Sequence, residues 1–111
     1  MSVLEDIKRA KLASSALKIL TAKQRNLVLL TIADKLLASV KYIIKANKKD
    51  LIMMSKDDPR YDRLVLTEDR IQSMADSIKI LAAMTCPLDQ MLEQKTMSNG
   101  LIIKKISVPL G

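Results

Sequence analysis

The chain contains no histidine, no phenylalanine and no tryptophan, and it has one cysteine and two glycines in 111 residues. Without histidine it lacks the commonest general base and the commonest metal ligand, and no Ser-His or Cys-His pair can be assembled. With one cysteine and no histidine, zinc would have to bind an all-carboxylate site, which suits it poorly. The glycines are Gly100 and Gly111, so neither a G-x-G-x-x-G turn nor a phosphate-cradling P-loop can be written. Cys86 is the one conceivable nucleophile. It falls at a predicted helix C-terminus, where the negative end of the helix dipole opposes a thiolate. Asp57-Asp58 and Glu68-Asp69 are neighbours in sequence but do not converge on one point, and they read as solvated loop and cap residues. The expected list of catalytic, cofactor-binding and metal-binding residues is therefore empty.

The shortage of aromatics bears on packing and on partners. Any core must come from Leu, Ile, Val, Ala and the seven Met, which adapt readily but specify shape less sharply than aromatic rings. Net charge is +7 overall, with +8 on residues 1–56 and −1 on residues 57–111. A basic half suggests nucleic acid or an anionic membrane. Here the lysines are spread over several helices, and Tyr42 and Tyr61 are isolated, so solvated helix faces are the better reading and no nucleic-acid partner is expected. A single cysteine excludes an internal disulfide and fits a reducing compartment. The start carries no basic flank followed by an apolar run, and no apolar stretch approaches the eighteen or so residues needed to cross a bilayer. A cytoplasmic protein without a membrane partner is expected.

Ser2 and Glu5 have capping-box spacing, so a helix should begin almost at once. Val3, Ile7, Ala10, Ala13, Leu17 and Leu20 continue it as one apolar stripe. Thr21 and Gln24 repeat the box and predict a second helix to about Ala38. Leu27 to Leu30, Ile32, Ala33, Leu36 and Leu37 cover most of its circumference, which predicts the buried centre of a bundle. Ser39 is placed to cap a third helix, whose face carries Val40, Ile44, Asn47, Leu51 and Met54. Asn47, the polar residue in that stripe, reads as a hydrogen-bonded structural amide rather than a ligand contact. Ser55–Leu66, with Asp57-Asp58-Pro59, reads as a surface loop. Thr67 is a natural N-cap for a fourth helix that aligns Ile71, Met74, Ala75, Ile78, Leu81 and Ala82, and Pro87 should end it.

Asn99-Gly100 is a strong hairpin signal and predicts a two-residue type I′ turn between strands at about Gln90–Met97 and Leu101–Val108. That pairing sets Met97 opposite Ile102, Met91 opposite Val108 and Lys95 opposite Lys104, the last a mild repulsion. A hairpin of this size is marginal alone and needs a further strand or a helix. The expected architecture is mainly α: a four-helix segment over residues 1–89, then a β-hairpin over residues 90–111.

Four stretches carry a family resemblance: Lys11-Leu12-Ala13-Ser14-Ser15-Ala16-Leu17; Ile44-Lys45-Ala46-Asn47-Lys48-Lys49-Asp50-Leu51; Asp62-Arg63-Leu64-Val65-Leu66-Thr67 with Arg70-Ile71; and Asn99-Gly100-Leu101 with Val108-Pro109-Leu110-Gly111. In this order and spacing the chain resembles the N-terminal portion of the γ-glutamyl phosphate reductases (glutamate-5-semialdehyde dehydrogenases) of the aldehyde dehydrogenase superfamily. The resemblance implies a piece of an α/β fold whose helices pack on a cofactor-binding domain and whose hairpin is an oligomerisation arm leading into a dinucleotide-binding domain. It implies an NADPH-dependent oxidoreductase of proline biosynthesis that forms homo-oligomers. The family's catalytic cysteine and NADPH-binding residues have no matching positions here, so the chain alone is expected to be inactive, to hold no cofactor and to need the missing catalytic portion or a reductase subunit as partner through the hairpin. Cys86-Pro87-Leu88-Asp89 departs from the family's usual Asp-Pro-Val-Gly, which implies a stiffer bend. The competing expectations are an independent helical interaction protein using its hairpin edge and, behind it, a basic nucleic-acid-binding bundle.

Overall fold

Ser2 and Glu5 close the first turn as their spacing predicts. The Glu5 amide donates to Ser2 Oγ at 3.2 Å and the Ser2 amide donates to Glu5 Oε2 at 2.9 Å, satisfying donors that a helix start leaves unpaired. In the computed structural model, which describes residues 2–110, this box opens α1 (Val3–Lys18), followed by α2 (Ala22–Ala38), α3 (Val40–Ile52), a one-turn α4 (Tyr61–Leu64), α5 (Glu68–Ala83), β1 (Met91–Thr96) and β2 (Ile102–Ile106). The expected order of four long helices and an antiparallel hairpin is present. The difference is α4, which replaces part of the predicted Ser55–Leu66 loop.

The chain divides into two compact units: residues 23–84, and the residues up to Ala22 together with those from Thr85 onward. In the first, α3 packs on α4 and α5. Its core is small: Ile71, Ala75 and Ala82 of α5 and Ala33 of α2 are buried. Thr67 caps α5 as predicted, its Oγ1 accepting from the Arg70 amide at 3.2 Å, a contribution of about 1 kcal/mol. Of the predicted stripe, Ile78 is half-buried, while Met74 and Leu81 face outward. The helix ends before Pro87, at Ala83, because Met84 is already extended. On α3 the predicted face holds: Val40, Ile44, Asn47, Leu51 and Met54 are half-buried, and Lys41, Lys45, Lys48 and Lys49 are exposed.

Two expectations for this unit fail. Ser39 stands at the N-cap of α3, but its side chain makes no capping bond. Its amide instead finishes α2 by donating to the carbonyls of Lys35 and Leu36, and its backbone is not in the extended geometry that a cap requires. The second failure is α2 as a buried centre. A helix apolar on most sides needs neighbours on most sides; in this chain Ala33 is buried, whereas Leu27 is 65% exposed and Val28, Leu30 and Ile32 are also exposed.

In the other unit no described residue is buried. The stripe predicted for α1 forms, but Val3 and Ile7 are 75% and 59% exposed. The hairpin strands are exposed along their whole length.

Candidate functional site

The hairpin is a two-stranded sheet with no third strand beside it among the described residues, and its geometry departs from the predicted turn. Gly100 has φ +87°, but Asn99 does not share the left-handed region, which rules out type I′. The Gly100 amide donates to the Met97 carbonyl at 2.9 Å and the Met97 amide donates to the Leu101 carbonyl at 2.7 Å. The loop is thus three residues, Ser98-Asn99-Gly100: a type I turn closed by a left-handed glycine. A Cβ on Gly100 would meet no other atom, so glycine is needed there for its dihedral rather than for space. Asn99 Oδ1 accepts from the Leu101 amide at 3.0 Å and stiffens the loop.

One extra loop residue moves the whole register by one. Thr96 pairs with Ile102, Lys95 with Ile103, Gln94 with Lys104 and Glu93 with Lys105; the ladder is then irregular before Met91 pairs with Ile106. The predicted Met97–Ile102, Met91–Val108 and Lys95–Lys104 pairs do not form, and both strands are shorter than predicted. Lys95 escapes the expected repulsion and lies 3.3 Å from Glu93 of its own strand. Because opposite residues share a face, Glu93, Lys95, Ile103 and Lys105 lie on one face and Gln94, Thr96, Ile102 and Lys104 on the other.

Below the ladder the hairpin is tied at its base. The Asp89 amide donates to the Ser107 carbonyl and the Ser107 amide to the Gln90 carbonyl, each at 3.0 Å. Ser107 Oγ accepts from the Gln90 amide and donates to the Pro87 carbonyl, and Gln90 Nε2 donates to the Cys86 carbonyl at 2.7 Å. Asp89 has φ +57°. It occupies the position where the resembled family tends to have glycine, and aspartate is among the few residues that tolerate this region. Nothing in the sequence pointed to Ser107 as the knot; its signal is purely geometric.

A second set of polar bonds lies in the unit 23–84 and involves the residues that carried the family resemblance. Asn47 Nδ2 donates to the Leu64 carbonyl at 2.8 Å, and Asn47 Oδ1 accepts from the Leu66 amide at 2.9 Å. One side-chain amide thus bonds the chain on both sides of Val65, where it turns from α4 into extended backbone. From the other side, Arg70 donates to the carbonyls of Asp62 and Val65 and to Asp62 Oδ1. Asn47 is the structural amide that its place in the α3 stripe suggested. Arg70 was visible only as part of a motif. Before α4, Arg60 forms a two-pronged pair with Asp58, Nε to Oδ1 at 3.1 Å and Nη2 to Oδ2 at 2.8 Å, with its amide also on Oδ1. These bonds hold the Asp58 carboxyl below its ordinary pKa, the side-chain pair contributing most.

These arrangements position backbone; they do not gather reactive groups. Among the described residues no three His, Cys, Asp or Glu side chains could hold a metal ion. Among the described residues no helix is long and apolar enough to cross a membrane. The surface hollows are shallow, such as the one of about 390 Å³ bordered by Lys48, Leu51, Met54 and Tyr61. Cys86 is half-buried, and its carbonyl takes part in the tie at the hairpin base.

No family model matches the chain. Over nearly its whole length, however, it is similar to curated proteins named gamma-glutamyl phosphate reductase. It is 41% identical over 109 residues to that of Legionella pneumophila strain Lens, covering 98% of this chain and 26% of the relative. To that of Chlorobaculum parvum it is 39% identical over 110 residues, covering 99% and 26%. The crystal structure of gamma-glutamyl phosphate reductase from Thermotoga maritima superposes with a TM-score of 0.85 at 26% identity, covering 96% of this chain and 26% of that one. The chain thus spans about a quarter of the length of the relatives it matches, and the resemblance to an N-terminal reductase portion holds in sequence and in fold.

Proposed function

We propose that this chain supplies the N-terminal portion of a γ-glutamyl phosphate reductase, an oxidoreductase of proline biosynthesis in the aldehyde dehydrogenase superfamily. The reaction is the reduction of L-glutamyl 5-phosphate to glutamate 5-semialdehyde by NADPH, with release of phosphate. Residues 1–89 serve as the helical segment and residues 90–111 as the arm that leads toward a dinucleotide-binding domain, in a cytoplasmic homo-oligomer. The nucleophilic cysteine and the NADPH site belong to the other three-quarters of the enzyme, and this chain alone is inert.

The observation that carries the reading is that similarity runs through essentially all of this chain yet reaches only 26% of each relative. The exposure of Leu27, Val28, Leu30 and Ile32 supports it, since apolar helix faces of this extent serve as contact surfaces. The test is complementation. This chain is co-expressed with the complementary portion of the Legionella pneumophila reductase, and NADPH oxidation is followed with L-glutamyl 5-phosphate. The expected result is activity in the pair and none in either part alone. A co-purifying complex with no activity would defeat the proposal.

A further inference from the structure

The chain has three asparagines, Asn26, Asn47 and Asn99, and they differ in what stands beside the side-chain amide. Asn26 and Asn47 lie within α2 and α3, where the amide of the next residue is bound in the helix ladder and the side chains of Leu27 and Lys48 crowd any approach to it. The Asn47 amide is in addition bonded at both ends, to Leu64 and Leu66. Asn99 stands in the exposed loop Ser98-Asn99-Gly100, and the residue after it is a glycine with no atom within 4 Å of the place a Cβ would take. Asn99 Oδ1 accepts from the Leu101 amide at 3.0 Å, which closes a ring that contains the Gly100 peptide unit.

We infer that Asn99 is a site of spontaneous covalent modification, at which the Gly100 amide nitrogen closes on the Asn99 side chain and leaves isoaspartate in the turn. The Gly100 nitrogen gives its proton to hydroxide and attacks Asn99 Cγ. The new N–Cγ bond forms, the Cγ–Nδ2 bond breaks, and Nδ2 takes a proton from water and leaves as ammonia. The five-membered succinimide then takes up one water: opening at the main-chain carbonyl gives isoaspartate, opening at the side-chain carbonyl gives aspartate, and nothing is oxidised or reduced. Both reacting groups are held on neighbouring residues, so the step is intramolecular. The loop acts on it in two opposed ways. The Leu101 N–H lies 3.0 Å from the oxygen that gains negative charge as the ring closes, where a donor favours such a step. The Gly100 N–H, by contrast, is donated to the Met97 carbonyl at 2.9 Å, so the nitrogen is withheld until the turn opens. Both strands are exposed along their whole length, and a hairpin with so little cover opens at low cost. Isoaspartate adds one methylene to the main chain and a carboxylate to the loop. The Met97–Leu101 bond that closes the loop then loses its geometry, and the net charge of +7 falls by one. The chemistry stays within this chain and does not rest on the reductase reading.

The full chain is incubated in mildly alkaline buffer with and without urea, ammonia release is followed, and the products are mapped with an isoaspartate-specific methyltransferase. The native chain should accumulate isoaspartate at position 99, in excess over aspartate, while Asn26 and Asn47 stay intact. The rate should rise with pH and be about tenfold faster in urea, where the Gly100 N–H is free. Asn99→Gln, whose ring would have six members and closes far more slowly, should release no ammonia above background and stay homogeneous on ion exchange. Three results each overturn the proposal: modification of Asn26 or Asn47 ahead of Asn99, a rate no faster in urea, or an Asn99 still intact in the native chain after about thirty half-lives of the unfolded one.

Discussion

The segment Leu64–Leu66, where the chain leaves α4, and the strand β1 both carry backbone groups that no helix satisfies, and they meet that need in opposite ways. Leu64–Leu66 never joins a sheet, yet Asn47 and Arg70 reach its carbonyls and amide from α3 and α5. β1 has a ladder on one side only, and every one of its residues is exposed. The first region contains residues that carried the family resemblance, and they act within the chain, through hydrogen bonds that can be named. In the second, which carried none of it, the outer backbone groups of β1 have no second ladder. Local side-chain bonding can therefore replace a sheet partner where a helix stands close enough to supply it.

The sharpest way to break this contrast is to remove the same side chain from both regions. Ile71→Ala, at a site that is 0% exposed, should cost about 3 kcal/mol of unfolding free energy. Ile103→Ala, at a half-exposed strand position, should cost about 0.5 kcal/mol in the isolated chain. Urea titration followed by circular dichroism measures both, and equal losses would mean that the hairpin is as well packed as α5. Next in size is Asn47→Ala, which removes both bonds to Leu64 and Leu66 and leaves a half-buried amide without its acceptor. A loss of about 2–3 kcal/mol is expected, with hydrogen exchange accelerated at Leu66 but unchanged at Gln90.

A gain is expected at Asp89→Gly. Glycine enters the left-handed region without the side-chain penalty, so the hairpin base should gain about 0.5–1 kcal/mol, read as slower exchange of the Gln90 and Ser107 amides. The smallest effect concerns Asp58. Its carboxyl is held below the ordinary value by Arg60, so its stabilisation is complete above the unfolded carboxylate value of about 3.9 and is lost as pH falls through the lower folded value. Asp58→Asn should lower the melting temperature slightly at neutral pH, and the difference from the parent chain should shrink as pH falls below the ordinary carboxylate range.

What could be read from the sequence is what is decided within a few residues. Ser2 with Glu5, Thr67 at the start of α5 and the α3 stripe with Asn47 inside it all rest on local spacing, and the structure places each as expected. The hairpin was legible as a hairpin, but Asn99-Gly100 serves a type I′ turn and a three-residue loop equally well. The choice depends on whether Ser98 belongs to the strand, and that one residue decides every partner along the ladder. The α4 turn was missed because its neighbourhood is held by Asn47 and Arg70 from other helices. The exposure of α2 was missed for a different reason: periodicity reports how apolar a face is, not whether this chain brings anything to cover it.

The side-chain bonding of Leu64–Leu66 bears finally on solubility. Backbone amides and carbonyls left open beside leucines, as at the exit of a helix, are groups on which other chains can bond. Asn47 occupies two of these groups from within the molecule and leaves an incoming chain fewer to bond. Its loss would leave the Leu64 carbonyl and the Leu66 amide open to another chain, so the amide of Asn47 guards the protein against sticking as well as against unfolding.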